Sequence, residues 1–125
     1  MMLTIFTPTY NRAYCLGTLY RSLCNQTVKD FVWLIVDDGS TDNTRQILNR
    51  FEGKDNRLKI IHKENTGVSD TRNQGIEMAT GDYIGFIDSD DEIMPNMYEI
   101  LYLNIKKYNA DISHCGFELR NKNFS

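Results

Sequence analysis

The sequence has few cysteines, and the three that it contains, Cys15, Cys24 and Cys115, include no CxxC pair. A disulfide framework or a zinc site would need more cysteines at closer spacing. Runs of lysine and arginine are also missing, and the formal net charge is -3. These absences favour a reducing compartment and argue against a nucleic-acid partner, because a polyanion binder needs a basic surface.

Long apolar runs are missing as well, and the first apolar stretch of the chain ends at Pro8. A membrane span needs about 20 consecutive apolar residues, and a signal peptide opens with a basic segment that this chain does not have. We therefore expect a cytoplasmic protein with no transmembrane segment in this chain. Peripheral attachment at the inner face of a membrane is left open.

The pattern that is present alternates apolar runs with segments of helical period. The chain has 125 residues, of which 41% are hydrophobic and 25% charged, as expected for one globular domain. Such alternation predicts an α/β fold with a Rossmann-like, mostly parallel sheet and helices on both faces. The predicted strands are residues 3–6, 31–38, 58–61 and 83–87, with a short closing strand around residues 112–115.

Residues suited to helix ends lie between these runs. Asparagine, serine and threonine accept hydrogen bonds at helix starts, glycine tolerates the conformation that follows a helix, and proline fits the first helical position. The predicted starts are Asn11 for the first helix, Ser40 or Thr41 for the second, Val68 for the third and Pro95 for the fourth; Gly53 and Gly81 are the predicted stops.

Polar side chains follow three of the predicted strands: Thr7, Thr9 and Tyr10 after the first, Asp37 and Asp38 after the second, and Asp88 to Asp91 after the fourth. The carboxyl ends of parallel strands form the edge of an open α/β sheet where ligands bind. Short connections and right-handed crossovers favour the strand order 3-2-1-4, which places the last acidic group beside the first strand.

The acidic stretch "DSDDE" has ordinary and functional interpretations. Asp91 or Glu92 suits the start of a helix, whereas residues two apart in an extended segment point the same way, so Asp88 and Asp90 can face one pocket. Two carboxylates there suit a hard cation such as Mg²⁺ or Mn²⁺. The chain has no GxGxxG or GxxxxGK[ST] loop, so a diphosphate would need that metal.

An alternative for the same two acids is a phosphohydrolase. Asp88 and Asp90 have the spacing of an aspartate nucleophile and its acid/base partner, a pattern similar to the start of haloacid-dehalogenase-like enzymes. That pattern usually follows the first strand, with Thr or Val two residues after the second acid. Here it follows the fourth predicted strand, and Glu92 occupies the later position.

Three further residues suit a nucleobase or phosphate. An ionised Asp38 accepts a hydrogen bond from a uracil N3–H, whereas cytosine presents an acceptor at that position. Asp37 or Asp38 is expected instead to cap the following helix, and Tyr10 stacks on a base or packs at the rim. Arg72 shares its predicted sheet-facing helix stripe with Val68, Gly75, Ile76 and Ala79. A charge there needs either a structural acid such as Asp38 or a ligand carbonyl or phosphate.

The motifs "TPTYNR", "VDDGSTDNT", "NTGVSDTRNQGI" and "ATGDYIGFIDSDD", in this order over essentially the whole chain, resemble the family 2 inverting glycosyltransferases of GT-A fold. The resemblance implies a DXD-type metal site for Mn²⁺ or Mg²⁺. Asp90 would be the main ligand, and Asp88 would approach the ribose and the metal. It also implies that Thr7 and Tyr10 line the base pocket, that Asp38 binds the uracil imide, and that Arg72 contacts the base or its phosphate.

The resemblance implies transfer of a sugar from a nucleotide diphosphate sugar to an acceptor hydroxyl, with inversion at the anomeric carbon. A UDP-sugar is the expected donor. Residues 1–125 would form a single donor-binding domain that ends before the acceptor half, so the catalytic base is not predicted within this chain. The acceptor class, whether sugar, glycolipid or polysaccharide, and the oligomeric state are not predicted. A non-catalytic nucleotide-binding or assembly module remains the main alternative.

Overall fold

The computed structural model describes residues 3–79 and 81–113. Within them, strands and helices alternate along the chain as the apolar pattern predicts. The elements are β1 (Leu3–Thr9), α1 (Ala13–Cys24), β2 (Phe31–Asp38), α2 (Thr44–Lys54), β3 (Leu58–Lys63), α3 (Val68–Met78), β4 (Tyr83–Phe86) and α4 (Met97–Tyr108). Residues 112 and 113 are not in a strand, and the remainder of the predicted closing strand lies outside the described residues.

The four strands form one parallel sheet in the order β3-β2-β1-β4. This arrangement confirms the predicted α/β class and strand order. β1 lies in the centre, pairing along its length with β2, from Leu3 opposite Phe31 to Thr9 opposite Asp37. The carboxyl ends of β1, β2 and β4 therefore meet at one edge, with the turn after β4 beside the end of β1.

The sheet is covered on both faces, and the alternation of side chains along each strand sorts the core into two clusters. Ile5, Trp33 and Ile35 pack with buried residues of α1, α2 and α4 on one face. Phe6 and Leu34 pack with partly buried residues on the opposite face, where α3 contacts β1 and β2.

α3 packs on the sheet through a stripe that the sequence pattern predicted only in part. Its buried residues are Thr71 and Gly75, whereas Val68 and Ile76 are more than half exposed. A Cβ atom at Gly75 would lie 2.3 Å from the Phe6 ring, so only glycine permits this approach of helix and strand. The predicted sheet-facing stripe was therefore right for Gly75 and wrong for Val68, Ile76 and Arg72, which are more than half exposed.

α3 begins at Val68 as predicted, whereas the other three helices start later than predicted. α1 begins at Ala13, and Asn11 has a positive φ of 52° and no capping role. Its Oδ1 instead accepts a hydrogen bond from the N–H of Thr41 at 2.7 Å. α2 begins at Thr44, whose N–H donates to Asp42 rather than to Ser40 or Thr41.

Pro95 lies in the turn before α4, two residues ahead of the first helical residue, Met97. The fully buried Gln26 explains the later start. Its Nε2 donates to the carbonyl of Met94 at 2.6 Å, and its Oε1 accepts from the N–H of Tyr98 at 3.3 Å. The amide of Gln26 thus supplies the partner that a local cap would otherwise provide. Gly81, with φ of 97°, has the conformation predicted for it.

Candidate functional site

Three carboxylates converge directly after β4. Asp88, Asp90 and Asp91 each offer one oxygen, and these oxygens lie within 4.8 Å of one another. The segment is a turn, in which the N–H of Asp91 donates to the carbonyl of Asp88 at 3.1 Å, rather than the extended strand that was predicted. The turn adds Asp91 to the predicted pair, although Asp91 was expected only to start a helix.

The negative charges of the three carboxylates in this turn repel one another. Although Asp91 is exposed as a residue, partial desolvation of its carboxyl raises its pKa; the N–H of Asp88 works against the rise, and the charges of Asp88 and Asp90 add to it. A divalent cation would relieve this repulsion. Three clustered carboxylate oxygens suit the hard cations Mg²⁺ and Mn²⁺, and their exposure leaves coordination positions for other oxygen ligands.

A pocket of about 340 Å³ lies beside the turn, and its lining includes Pro8, Arg72, Phe86, Asp88 and Asp91. The Arg72 guanidinium lies 3.8 Å from the Asp88 carboxylate, and both side chains are more than half exposed. Ion pairs of this kind contribute little and exchange readily with solvent or ligands. The structural pair of Arg72 with Asp38 that was considered from the sequence is not formed, because Asp38 pairs with Lys63 instead.

Thr7 is an interior residue, contrary to the expectation that it lines a base pocket. Its side chain is fully buried, and its hydroxyl accepts a hydrogen bond at 2.9 Å from the indole N–H of the fully buried Trp33. The next residue, Pro8, is the one that reaches the pocket. Thr9 is also buried, and its hydroxyl oxygen has no hydrogen-bond partner among residues 3–79 and 81–113.

Tyr10 follows β1 and has a side chain that is 42% exposed, so its ring is available at the edge of the sheet. Asn11, immediately after it, binds the loop that follows β2 through its backbone and its side chain. The N–H of Asn11 donates to the Ser40 hydroxyl at 2.9 Å, and its Oδ1 accepts from the N–H groups of Thr41 and Asp42. The loops after β1 and β2 therefore form one connected rim.

Asp38, at the end of β2, is nearly buried and is surrounded by donors. Its Oδ1 accepts from the Lys63 ammonium at 2.5 Å and from the N–H of Thr66 at 2.9 Å, while its Oδ2 accepts from the N–H of Gly67 at 3.1 Å. Burial raises the pKa of Asp38, but these donors outweigh it and hold the pKa below its ordinary value. Oδ2 retains a lone pair for one further donor.

Asp37 is committed to the loop that follows it. Its Oδ1 accepts from both the N–H and the hydroxyl of Ser40, and its Oδ2 lies 3.0 Å from Nδ1 of His62. Asp37 thus anchors a turn rather than capping α2. His62 and Lys63 were not predicted as members of this edge; their position at the end of the third apolar run was the signal that could have indicated it.

Asp38→Asn is expected to destabilise the fold at neutral pH by about 1–3 kcal/mol, because the nearly buried Lys63 ammonium loses its charged partner. The pKa of Asp38 is lowered in the folded state. Its stabilising effect is therefore present above the unfolded-state pKa of about 4 and is lost as the pH falls through the lower folded value.

Urea unfolding of wild type and variant across this pH range measures the difference, which should shrink as the solution becomes acidic. Asp30→Asn is the matched control, since Asp30 is exposed and has no partner within the described chain. A difference between wild type and Asp38→Asn that is constant with pH would contradict this assignment.

The parallel 3-2-1-4 sheet, together with the acidic turn and arginine at its carboxyl edge, defines an α/β domain of GT-A type. The chain belongs to Glycosyl transferase family 2, which it matches over residues 4–125. This confirms the family indicated by the sequence motifs, and it favours that class over the phosphohydrolase alternative.

Individual relatives agree with this assignment. The chain is 37% identical to the glycosyltransferase GlyG of Streptococcus pneumoniae over 112 residues, which cover 89% of this chain and 37% of GlyG. The structure of S. aureus TarS 1-349 in complex with UDP-GlcNAc matches with a TM-score of 0.80 and 31% identity, covering 89% of this chain and 33% of TarS 1-349.

A mannosyltransferase of Pyrobaculum calidifontis, solved in complex with GDP-Man and Mn²⁺, matches at a TM-score of 0.67 and 24% identity and thus shares the fold; the match covers 72% of this chain and 28% of that one. The chain spans about a third of the length of several curated relatives that it matches. Within the described residues, no helix combines the length and the apolar character that crossing a membrane requires.

Proposed function

We propose that this chain is the donor-binding domain of a glycosyltransferase that transfers a sugar from a UDP-sugar to an acceptor hydroxyl with inversion. The observation that carries the proposal is a cluster of three carboxylates at the carboxyl edge of the sheet, two of which line one pocket together with Arg72. Support for a nucleotide-sugar donor comes from TarS, a relative that was solved with UDP-GlcNAc.

Asp90, Asp88 and Asp91 are the proposed ligands of one Mn²⁺ or Mg²⁺ ion. Their oxygens are mutually close enough to share one cation, and the exposed side of the cluster faces solvent, where diphosphate oxygens can approach. When bound, such a cation supplies positive charge that stabilises a departing diphosphate.

The remaining residues position the nucleotide. Arg72 leaves its weak pair with Asp88 to donate hydrogen bonds to a diphosphate, for which the planar guanidinium is suited. Asp38 accepts the imide N–H of uracil with the free lone pair of Oδ2, and the exposed ring of Tyr10 stacks on the base. The network from Asp38 to Lys63, Thr66 and Gly67 fixes the carboxylate before the base arrives.

No residue of this chain is assigned to deprotonation of the acceptor hydroxyl. At the carboxyl edge of the sheet, Asp37 is bound to Ser40 and His62, Asp38 is bound to Lys63 and two backbone N–H groups, and the three aspartates after β4 belong to the cation cluster. The acceptor is proposed only as a sugar, glycolipid or polysaccharide hydroxyl. Cys15 and Cys24 are thiols rather than a disulfide, which supports a reducing, cytoplasmic compartment.

Arg72→Gln is expected to weaken UDP binding in the presence of Mn²⁺ about tenfold or more, because hydrogen bonds to charged groups contribute roughly 1.5–3 kcal/mol. Calorimetry measures the affinity, and Arg45→Gln, at an exposed arginine of α2, is the matched control. Uridine, which has no phosphate, should bind both variants equally weakly. Equal affinity of the two variants for UDP would refute the role of Arg72.

A further inference from the structure

A second concave surface lies between α1 and α2, on the face of the sheet opposite to α3. We name it the α1/α2 groove; it has a volume of about 360 Å³, and its charged lining residues are Arg21 of α1 with Arg50 and Lys54 of α2. Arg72 is on α3, on the other face, so the groove is separate from the proposed donor site.

The groove is basic although the chain as a whole carries a net charge of -3. Its lining contains three cations and no acid. Within residues 3–79 and 81–113 none of the three cations forms an ion pair; the Arg21 guanidinium donates only to the Thr18 hydroxyl, at 3.4 Å.

The acids at the two ends of the groove are already engaged. The Asp42 carboxylate accepts from the N–H groups of Ala13 and Thr44, where α1 and α2 begin. Asp55, after α2, pairs with Arg57 at 2.8 Å. The positive charge of the groove is therefore not neutralised by its own surroundings, and it is available to an anionic partner.

The apolar content of the groove narrows the choice of partner. Ile47 and Phe51 at its floor are partly buried against the core, and Tyr14 is the one strongly exposed aromatic residue of the lining, at 74%. A protein partner would find little apolar area to bury. Cations beside one amphipathic tyrosine instead match a membrane surface, where lysine and arginine bind anionic headgroups and tyrosine lies at the interface.

We propose that the α1/α2 groove docks this domain on an anionic lipid membrane, with headgroup phosphates bound by Arg21, Arg50 and Lys54 and with Tyr14 at the interface. The docked orientation leaves the carboxyl edge of the sheet accessible to the nucleotide. This role is independent of the donor chemistry, because it uses other residues on another face.

Co-sedimentation with vesicles tests the proposal, using phosphatidylcholine alone and phosphatidylcholine mixed with phosphatidylglycerol, at low and high salt. Wild type should bind the mixed vesicles at low salt and be released by high salt. The triple variant Arg21→Gln, Arg50→Gln, Lys54→Gln should bind the mixed vesicles at least about tenfold more weakly than wild type, because each cation is attracted to anionic lipid.

The matched control is Arg45→Gln, Lys59→Gln, Lys107→Gln, which removes the same charge from exposed residues outside the groove and should lose less than about twofold. Equal losses in both triple variants, or equal binding to neutral and mixed vesicles, would overturn the proposal. If the wild type self-associates and the groove variant does not, the groove binds a second copy of the chain, and the membrane proposal is overturned. UDP binding of the groove variant, measured in parallel, should be unchanged and reports on the donor site separately.

Discussion

Asp90→Asn is expected to abolish the part of UDP binding that depends on Mn²⁺. The oxygens of Asp88, Asp90 and Asp91 lie within 4.8 Å of one another, so loss of one carboxylate charge removes a ligand and lowers the charge that attracts the cation. The affinity of a site for a hard divalent cation depends on both the number of oxygen ligands and their negative charge. The wild type should bind UDP about tenfold or more tightly with Mn²⁺ than without it, whereas the variant should show the same weak affinity in both conditions.

Calorimetric titration of UDP in Mn²⁺ and in a chelator measures this effect. Glu92→Gln is the matched control, because Glu92 is an exposed acid of the same segment that is not part of the cluster. It should retain most of the Mn²⁺ effect. If Glu92→Gln loses as much of the Mn²⁺ effect as Asp90→Asn, general negative charge rather than a defined ligand set accounts for the binding.

Gly75→Ala is expected to destabilise the fold by about 2–3 kcal/mol, even though alanine is the better helix former. A Cβ atom at residue 75 would lie 2.3 Å from the ring of Phe6, which is fully buried in the centre of the sheet. Relief requires either α3 to move outward or the Phe6 ring to leave its position. Both changes disturb the packing of α3, which carries Arg72.

Chemical unfolding measures the loss, and Gly53→Ala is its control. Gly53 is also in a helix, but a Cβ atom there would meet nothing within 4 Å. Gly53→Ala should leave stability unchanged or raise it by up to about 1 kcal/mol. Similar stabilities for the two variants would show that α3 does not approach β1 as closely as the structure places it.

The strands and their order could be predicted because burial on both faces leaves nearly continuous apolar runs, and because parallel strands with short helical connections permit few arrangements. The face of α3 could not. Val68 and Ile76 were expected to face the sheet together with Gly75, whereas Gly75 lies against Phe6 and the other buried residue of the helix is Thr71. A search for apolar periodicity does not detect a helix face that packs on the sheet through glycine, which has no side chain.

The candidate site was predictable as a set of acids after particular strands, but its local geometry was not. Whether "DSDD" is extended or turned depends on backbone hydrogen bonds such as that from Asp91 to Asp88, which the residue types alone do not specify. The other omissions involve partners far apart in the chain. Lys63 with Asp38, Asn11 with Thr41 and Gln26 with Tyr98 are pairs that only the folded sheet brings together.

The most direct test of the donor-binding proposal is calorimetric titration of the wild-type chain with UDP and with CDP, each in the presence and absence of Mn²⁺. Uracil donates its N3–H to an acceptor such as Asp38, whereas cytosine presents an acceptor there. UDP should therefore bind more tightly than CDP, and Mn²⁺ should strengthen the binding of both through their diphosphates. Failure of UDP to bind, with Mn²⁺ or without it, would contradict the proposal.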